Sequence, residues 1–123
     1  MARRMGGLRQ AQRFDTSRFV DTSTALSALS ALGQPTRLEA FRLLARSGSL
    51  PAGEIADRLG VPQNTASTHL AQLTDAGLLA RTREGRTIRY AVAPEGIRAL
   101  LAFLTEDCCG GRPELCRPLE TCR

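Results

Sequence analysis

The chain has 123 residues, four cysteines and a formal charge of +5, and all 17 of its basic residues are arginine. This length fits a single compact domain, and since no stretch approaches about eighteen consecutive apolar residues, a membrane-spanning helix is excluded. Aromatic side chains are scarce, with four Phe, one Tyr and no Trp, which favours a core of small packed helices. Arginine binds phosphate oxygens and guanine edges with paired hydrogen bonds, so the charge is compatible with nucleic-acid binding, although arginine-only usage is equally typical of a GC-rich genome.

Residues 1–18 are expected to form a flexible arm, because they contain five arginines and two glycines but little apolar periodicity. The start of the chain, Met1 to Gln12, also contains no apolar segment of the kind found in signal peptides. We therefore expect a cytoplasmic protein with no membrane association. In that compartment glutathione keeps thiols reduced, and clustered cysteines are more often ligands than disulfides.

Two helices are predicted next from their apolar spacing and their terminating residues. The first begins at Thr22 and ends at Gly33, and its apolar face is expected to consist of Ala25, Leu26, Leu29 and Leu32. Pro35 begins the second helix, which ends at Ser47 and Gly48. The predicted apolar face of that helix consists of Leu38, Phe41, Leu44 and Ala45.

A helix-turn-helix is predicted in the segment that follows. A short helix begins at Pro51 and ends at Gly60, and only two residues separate it from a second helix that runs from Gln63 to Ala76. The apolar face of the second helix consists of Ala66, Leu70 and Leu73. Two short helices joined by a tight turn that contains glycine are typical of this motif.

A β-hairpin, or wing, and a last helix complete the predicted domain. The strands Leu78–Glu84 and Thr87–Ala93 flank Gly85 and Arg86, and the second strand alternates between apolar and polar residues. Pro94 begins the last helix, in which a narrow apolar seam suited to packing on another helix consists of Ile97, Leu101, Leu104 and Cys108. The sequence thus predicts a mainly α fold with a small β-hairpin, a winged helix-turn-helix over residues 19–107, followed by a cysteine-rich tail at 108–123.

The second helix of the motif is the candidate DNA-reading element, since winged helix-turn-helix domains place that helix in the major groove while the wing contacts the backbone or the minor groove. Amide side chains bind adenine with two hydrogen bonds, and hydroxyl groups bind either bases or phosphates. The candidate DNA-binding residues are Gln63, Asn64, Thr65, Ser67, Thr68 and His69 on the helix, with Arg83 and Arg86 on the wing.

Other interpretations of these residues remain open. The polar face could be merely solvated, and the wing could serve protein contact alone. Arginines cluster on the hairpin beside a nearly uncharged helix, an arrangement that favours phosphate binding by the arginines Arg81, Arg83, Arg86 and Arg89. His69 could be a metal ligand, but its place among polar residues of the same face favours a DNA or phosphate contact.

Several segments taken together resemble the ArsR/SmtB family of bacterial metal-responsive repressors. They are Ala31–Leu38 (ALGQPTRL), Glu54–Ala56 (EIA), Gln63–Leu73 and Asp75–Leu78 (DAGL). The similarity runs from about Thr22 to Leu104. The resemblance implies a homodimer formed through the first and last helices, bound to a palindromic operator and released when an inducer binds.

The chain departs from two inducer sites of that family. Arsenic- and cadmium-sensing relatives carry a Cys-x-Cys pair where this chain has Pro51 and Gly53, and zinc-sensing relatives use histidines in the last helix, where residues 95–107 contain none. The tail is similar instead to the C-terminal vicinal-cysteine arsenite site of some arsenic-responsive members. It consists of Cys108, Cys109 and Cys116.

Thiolates are soft ligands that select soft ions, and by the same argument As(III) or Sb(III). Gly110 and Gly111 would allow the chain to turn back so that Cys116 completes a set of three sulfur ligands. A fourth cysteine is not needed for this set, so Cys122 is not assigned as a ligand. A structural zinc site with four thiolates, a redox switch, or a buried Cys108 that merely extends the apolar seam are the alternatives.

We therefore expect an As(III)- or Sb(III)-responsive repressor that requires no catalytic cofactor. The alternative is a winged-helix repressor that senses redox state or Zn(II) or Cd(II) through the same cysteines. An enzyme is the rival from another class, but the phosphatase-like pattern of a cysteine, five residues and an arginine is absent after each of the four cysteines.

Overall fold

The computed structural model describes residues 21–107. The arm predicted at 1–18 and the tail at 108–123 lie outside the described residues. Along the chain the elements are α1 (Thr22–Leu32), α2 (Pro35–Ser47), β1 (Ser49–Pro51), α3 (Ala52–Leu59), α4 (Gln63–Asp75), β2 (Leu79–Glu84), β3 (Thr87–Val92), α5 (Pro94–Ala102) and one π-helical turn (Phe103–Asp107). The predicted winged helix-turn-helix is confirmed. It occupies the compact unit Leu26–Ile97, and the described parts of Met1–Ala25 and Arg98–Arg123 form a second unit.

Local side-chain and backbone groups define where the helices begin and end. The backbone N–H of Thr24 donates to Asp21 Oδ1 at 2.9 Å, which caps the start of α1. Gln34 caps α2 in the same way, since its Oε1 accepts from the N–H of Arg37 at 2.8 Å. Gly60 ends α3 in the left-handed region at φ 73°, which a residue without a Cβ adopts at little cost.

The predicted apolar faces of α1 and α2 are only partly correct, since Ala25 and Leu44 are buried as predicted but the other predicted residues are not. In α1 the buried residues are Ala25, Ala28 and Ala31, whereas Leu26 and Leu29 are 60% and 40% exposed. In α2 the buried residues are Ala40, Leu43 and Leu44, so of the predicted set only Leu44 is buried. Both helices carry apolar residues on more than one side, and spacing alone does not tell which side the rest of the chain covers.

The wing belongs to a three-stranded antiparallel sheet with the order β1-β3-β2, not to an isolated hairpin. Leu50 in β1 pairs with Tyr90 in β3, and both side chains are buried. Strand β1 is not predicted from the sequence, because three residues give no periodic signal and because the sequence predicts that Pro51 begins the next helix. Pro51 instead ends this edge strand, a position at which proline is tolerated in a sheet.

Helix α4 packs against α2, α3 and β2. Its buried residues are Ala66, Leu70 and Leu73, as the sequence predicts. The largest fully buried side chains of the unit are Leu44, Ile55, Leu70, Leu73 and Leu78. One face of α4 is therefore fixed in the core, and the opposite face is available to solvent.

The first turn of α5 lies directly against the turn that ends α4. The N–H of Ala93 donates to the carbonyl of Leu78 at 2.9 Å. A Cβ at Gly96 would lie only 1.8 Å from the carbonyl oxygen of Gly77, so the two backbones meet without room for a side chain. The predicted seam in this helix is only partly observed, because Ile97 and Leu104 are half-buried but Leu101 is exposed and Leu100 is buried instead. Cys108 lies outside the described residues.

Candidate DNA-binding surface

The solvent-facing side of α4 carries all six helix residues predicted to bind DNA. Four of these side chains are exposed, and Ser67 and His69 are half-buried at the two margins of the face. Asn64 and Thr68 lie one turn apart at its centre, where Thr68 Oγ1 donates to the carbonyl of Asn64 at 3.1 Å. Since this bond uses the hydroxyl proton, Thr68 offers an approaching ligand an acceptor.

A cavity of about 390 Å³ lies between the start of α4, the start of α3 and the wing. Three of the predicted residues, Gln63, Ser67 and Arg86, line it together with Gly53 and Tyr90. Gln63 Oε1 lies 3.6 Å from the position that a Cβ on Gly53 would take, so the amide extends over the first turn of α3. The cavity thus combines an amide, a hydroxyl and a guanidinium group.

The start of α4 adds positive potential to this cavity, since its first turn contains no acidic residue, whereas the first turn of α3 contains Glu54. Among the described residues no side chain caps either helix, since the preceding residues are Pro51 and Pro62. The first backbone N–H groups of both helices are therefore left to solvent or a ligand, and the helix dipole makes this end favourable for an anion. The arrangement suits an oxygen-rich, negatively charged partner.

The arginines of the wing differ in what they contact. Arg83 donates from Nε to the carbonyl of Gly85 at 3.2 Å, which holds it near the tip of the wing. Arg81 and Arg86 are exposed. Arg89, in contrast, donates from Nε to Ser49 Oγ at 3.0 Å and from Nη2 to the Ser49 carbonyl at 2.8 Å. It ties β3 to β1, so of the four arginines it is the one with a clear structural role.

Sequence reasoning missed Arg37, which contacts α4 from the first turn of α2. Its Nε donates to the carbonyl of Ala31 at 2.7 Å, and its Nη1 donates to Gln72 Oε1 and lies 3.4 Å from His69 Nδ1. Arginine can only donate, so in these contacts Arg37 is the donor and the α4 side chains are the acceptors. A cation near a helix N-terminus is electrostatically unfavourable, and this is the signal that could have indicated a tertiary partner for Arg37.

The predicted metalloid ligands Cys108, Cys109 and Cys116, and the spare Cys122, lie outside the described residues. Within 21–107, no group of three or more His, Cys, Asp or Glu side chains is placed to hold a metal ion. Over the same residues, no helix is both long and apolar enough to cross a membrane.

Comparison with known proteins agrees with this geometry. A family model described as a helix-turn-helix domain matches residues 32–82. An uncharacterised HTH-type transcriptional regulator of Methanocaldococcus jannaschii is 34% identical over 82 residues, which cover 67% of this chain and 92% of the relative. An arsenic resistance transcriptional regulator of Pseudomonas putida is 39% identical over 64 residues, covering 52% of this chain and 50% of the relative.

A solved structure shows the same architecture. It is the solution structure of a homodimeric winged helix-turn-helix DNA-binding domain from Mycobacterium bovis, described as a possible ArsR-family transcriptional regulator. Its sequence is 32% identical, the match covers 67% of this chain and 75% of that chain, and the TM-score is 0.59.

Proposed function

Because this chain belongs to the ArsR family of HTH-type transcriptional regulators, we propose that it is a homodimeric repressor that binds a palindromic operator in the cytoplasm. It is a DNA-binding regulator and not an enzyme. The observation that carries the proposal is the cavity in which Gln63, Ser67 and Arg86 from two separate elements meet. A polar helix face beside a basic wing is the arrangement expected of a DNA-reading surface.

Helix α4 would enter the major groove with its N-terminal half foremost. There Gln63, Asn64 and Thr65 are exposed, whereas Ala66 and Leu70 are buried. Ser67, Thr68 and His69 follow along the same helix, and Arg83 and Arg86 on the wing would hold phosphates on the flanking backbone. In this arrangement polar side chains specify the bases, while the arginines supply salt-sensitive affinity.

The exposed leucines favour the homodimer. Leu26 and Leu29 on α1 and Leu101 on α5 are among the most exposed large apolar side chains of the described residues. Burying such side chains in a twofold interface stabilises the dimer by removing apolar surface from water. Two recognition helices in a dimer must match successive major grooves, which are about 34 Å apart.

The inducer we propose is As(III) or Sb(III), bound by Cys108, Cys109 and Cys116. Arsenous acid, As(OH)₃, reacts with three thiols to form three As–S bonds and releases three waters, so the adduct and the free thiols have the same charge. Electrostatic repulsion of DNA is therefore not the signal. A change in the shape of the dimer must lower operator affinity, and couplings between sites of about 1–3 kcal/mol are sufficient for derepression.

The backbone contact between Gly96 and Gly77 supplies a route for that change. The first of the cysteines comes after α5 and the π-helical turn that follows it, and the first turn of α5 lies against the end of α4. When the metalloid draws the sulfur atoms together, a displacement of α5 would be passed to α4 without an intervening flexible side chain. Interfaces packed this closely shift between discrete arrangements and do not deform continuously.

The test begins by selecting binding sites from a random-sequence duplex pool with the full-length protein. We expect a palindromic consensus whose affinity, measured by fluorescence anisotropy, falls steeply with salt. Failure to enrich any sequence would refute the DNA-binding proposal itself.

The inducer is tested on that duplex by titration with arsenite and antimonite. Cys108→Ser, Cys109→Ser and Cys116→Ser should each abolish the release from DNA, whereas the matched control Cys122→Ser should still respond. Release by Zn(II), Cd(II) or peroxide, with no effect of either metalloid, would favour the alternative sensor instead.

A further inference from the structure

A cleft of about 480 Å³ separates residues 26–31 of α1 from the C-terminal half of α4. Leu26, Ser30 and Ala31 line it from α1, and Gln72 and Asp75 line it from α4. The two helices therefore face one another across open space along this side. A side chain that fixes the angle between them directly has to cross the cleft.

The guanidinium of Arg37 crosses it. Nε donates to the carbonyl of Ala31 in the last turn of α1, and Nη1 donates to Gln72 and lies beside His69, which are one turn apart on α4. We refer to these contacts as the Arg37 bridge. The backbone of Arg37 is itself held, because its N–H donates to the cap residue Gln34.

Apolar packing leaves the position of α1 weakly determined within this unit. Its buried residues there are Ala28 and Ala31, which bury little apolar area compared with leucine. Directional hydrogen bonds from a charged donor are stronger than neutral ones and fix geometry more closely. The Arg37 bridge is thus the contact best placed to set the angle between α1 and α4.

We propose that Arg37 is a positioning residue that determines which separation of operator half-sites the dimer accepts. The inference rests on the proposed function. In the proposed dimer the interface includes Leu26 and Leu29 of α1, and α4 carries the candidate DNA-reading residues. The angle between these two helices therefore sets the distance between the two recognition helices.

Arginine is required for this role because its planar fork donates in two directions at once. Nε points back to the end of α1 while Nη1 points to α4. A lysine carries the charge at a single nitrogen on a flexible stem, so it cannot hold the same geometry. The bridge should therefore fail in Arg37→Lys although the net charge is unchanged.

The experiment uses full-length protein and the duplex selected by the wild type. Three probes are compared by fluorescence anisotropy: that duplex, the same duplex with one base pair added or removed between the half-sites, and a single half-site. The variants are Arg37→Lys, Arg37→Met and Gln72→Ala, which removes the anchor on α4. Arg42→Met is the matched control, because Arg42 lies on the same helix and forms an ion pair at 3.3 Å with Glu39 of that helix, one turn earlier. Circular dichroism at the assay temperature verifies that each variant is folded.

We expect the wild type to bind the selected duplex more tightly than a duplex with altered spacing. In each bridge variant this ratio of affinities should fall by at least about threefold, while the affinity for the single half-site changes less. Arg37→Met combined with Gln72→Ala should be no worse than either change alone, since both remove one bridge. The control should behave as the wild type.

Two results would overturn the inference. One is a uniform loss of affinity for all three probes, which indicates a merely structural role. The other is unchanged spacing preference in folded Arg37→Met and Gln72→Ala proteins. If the wild-type protein selects no palindrome, the inference also fails. In that case the proposed function is wrong, and the result with the wild type alone shows this before any variant is compared.

Discussion

The replacement Gly96→Ala tests the contact between α5 and the end of α4. The added Cβ would lie 1.8 Å from the carbonyl oxygen of Gly77 and 2.8 Å from its carbonyl carbon. An ordinary carbon–oxygen contact is about 3.3 Å or longer, so the backbones must separate by about 1.5 Å. Both groups that clash are backbone, and no flexible side chain is available to move aside.

The expected result is a loss of stability. Forcing extra atoms into a packed region costs about 1–3 kcal/mol, which exceeds the gain of up to about 1 kcal/mol from replacing a helical glycine by alanine. For a domain of this size each kcal/mol lowers the unfolding midpoint by about 4–8 °C. Operator affinity should fall as well, because α4 would be displaced at its C-terminal end.

Thermal unfolding followed by circular dichroism at one fixed protein concentration measures the first effect, since dimer stability depends on concentration. Gly53→Ala is the control for stability, because its Cβ would meet Gln63 Oε1 at an ordinary 3.6 Å. A Gly96→Ala protein that unfolds at or above the wild-type midpoint would show that the contact is not tight and would remove the route proposed for induction.

Three further predictions follow from the described residues. Arg86→Ala should weaken binding to all DNA sequences similarly and reduce the slope of log affinity against log salt by about one, whereas Arg42→Ala should not, as anisotropy at several salt concentrations would show. Asp21→Ala should destabilise α1 by about 0.5–2 kcal/mol through loss of its cap, measured by chemical denaturation. The backbone N–H and the side chain of Thr24 both donate to Asp21 and lower its pKa, so the advantage of Asp21 over Ala should persist at neutral pH and disappear as the pH falls through the lowered pKa. Leu26→Glu should give monomers by sedimentation equilibrium while the helical signal is retained, and Leu26→Met should remain dimeric; a dimeric Glu variant would place the interface elsewhere.

Helix boundaries and the wing could be predicted from the sequence because they depend on local chemistry. Gly60 and Gly85 adopt positive φ at the places where a turn is needed, and Pro35 occupies the first position of α2. These requirements act within a few residues, so the sequence carries them directly. The position of α4 and its buried residues followed from the same kind of information.

Features that depend on partners distant in sequence could not be predicted. Leu26 looks as apolar as Leu44, and only the packing of the whole unit shows that the first is exposed and the second buried. The three residues of β1 become a strand through pairing with β3, about 40 positions away. From the sequence alone Arg37 cannot be distinguished from other surface cations. Only the fold shows that it contacts His69 and Gln72, which lie 32 and 35 positions later in the chain.

Helix α4 has a neighbouring element at its start, its middle and its end, and this arrangement explains how a small displacement would control DNA binding. Its start faces the wing across the cavity lined by Gln63 and Arg86, its middle is held by the Arg37 bridge, and its end meets α5 at Gly77. A helix of 13 residues is about 20 Å long, so a shift of about 1.5 Å at one end tilts it by about 4° if the other end is fixed. Hydrogen bonds to bases tolerate only a few tenths of an ångström, so residues near the moving end would lose their contacts first. The DNA contacts of His69 should therefore be lost at a lower inducer concentration than those of Asn64. The contacts of Asn64 with its half-site should remain at metalloid concentrations that already release the full dimer.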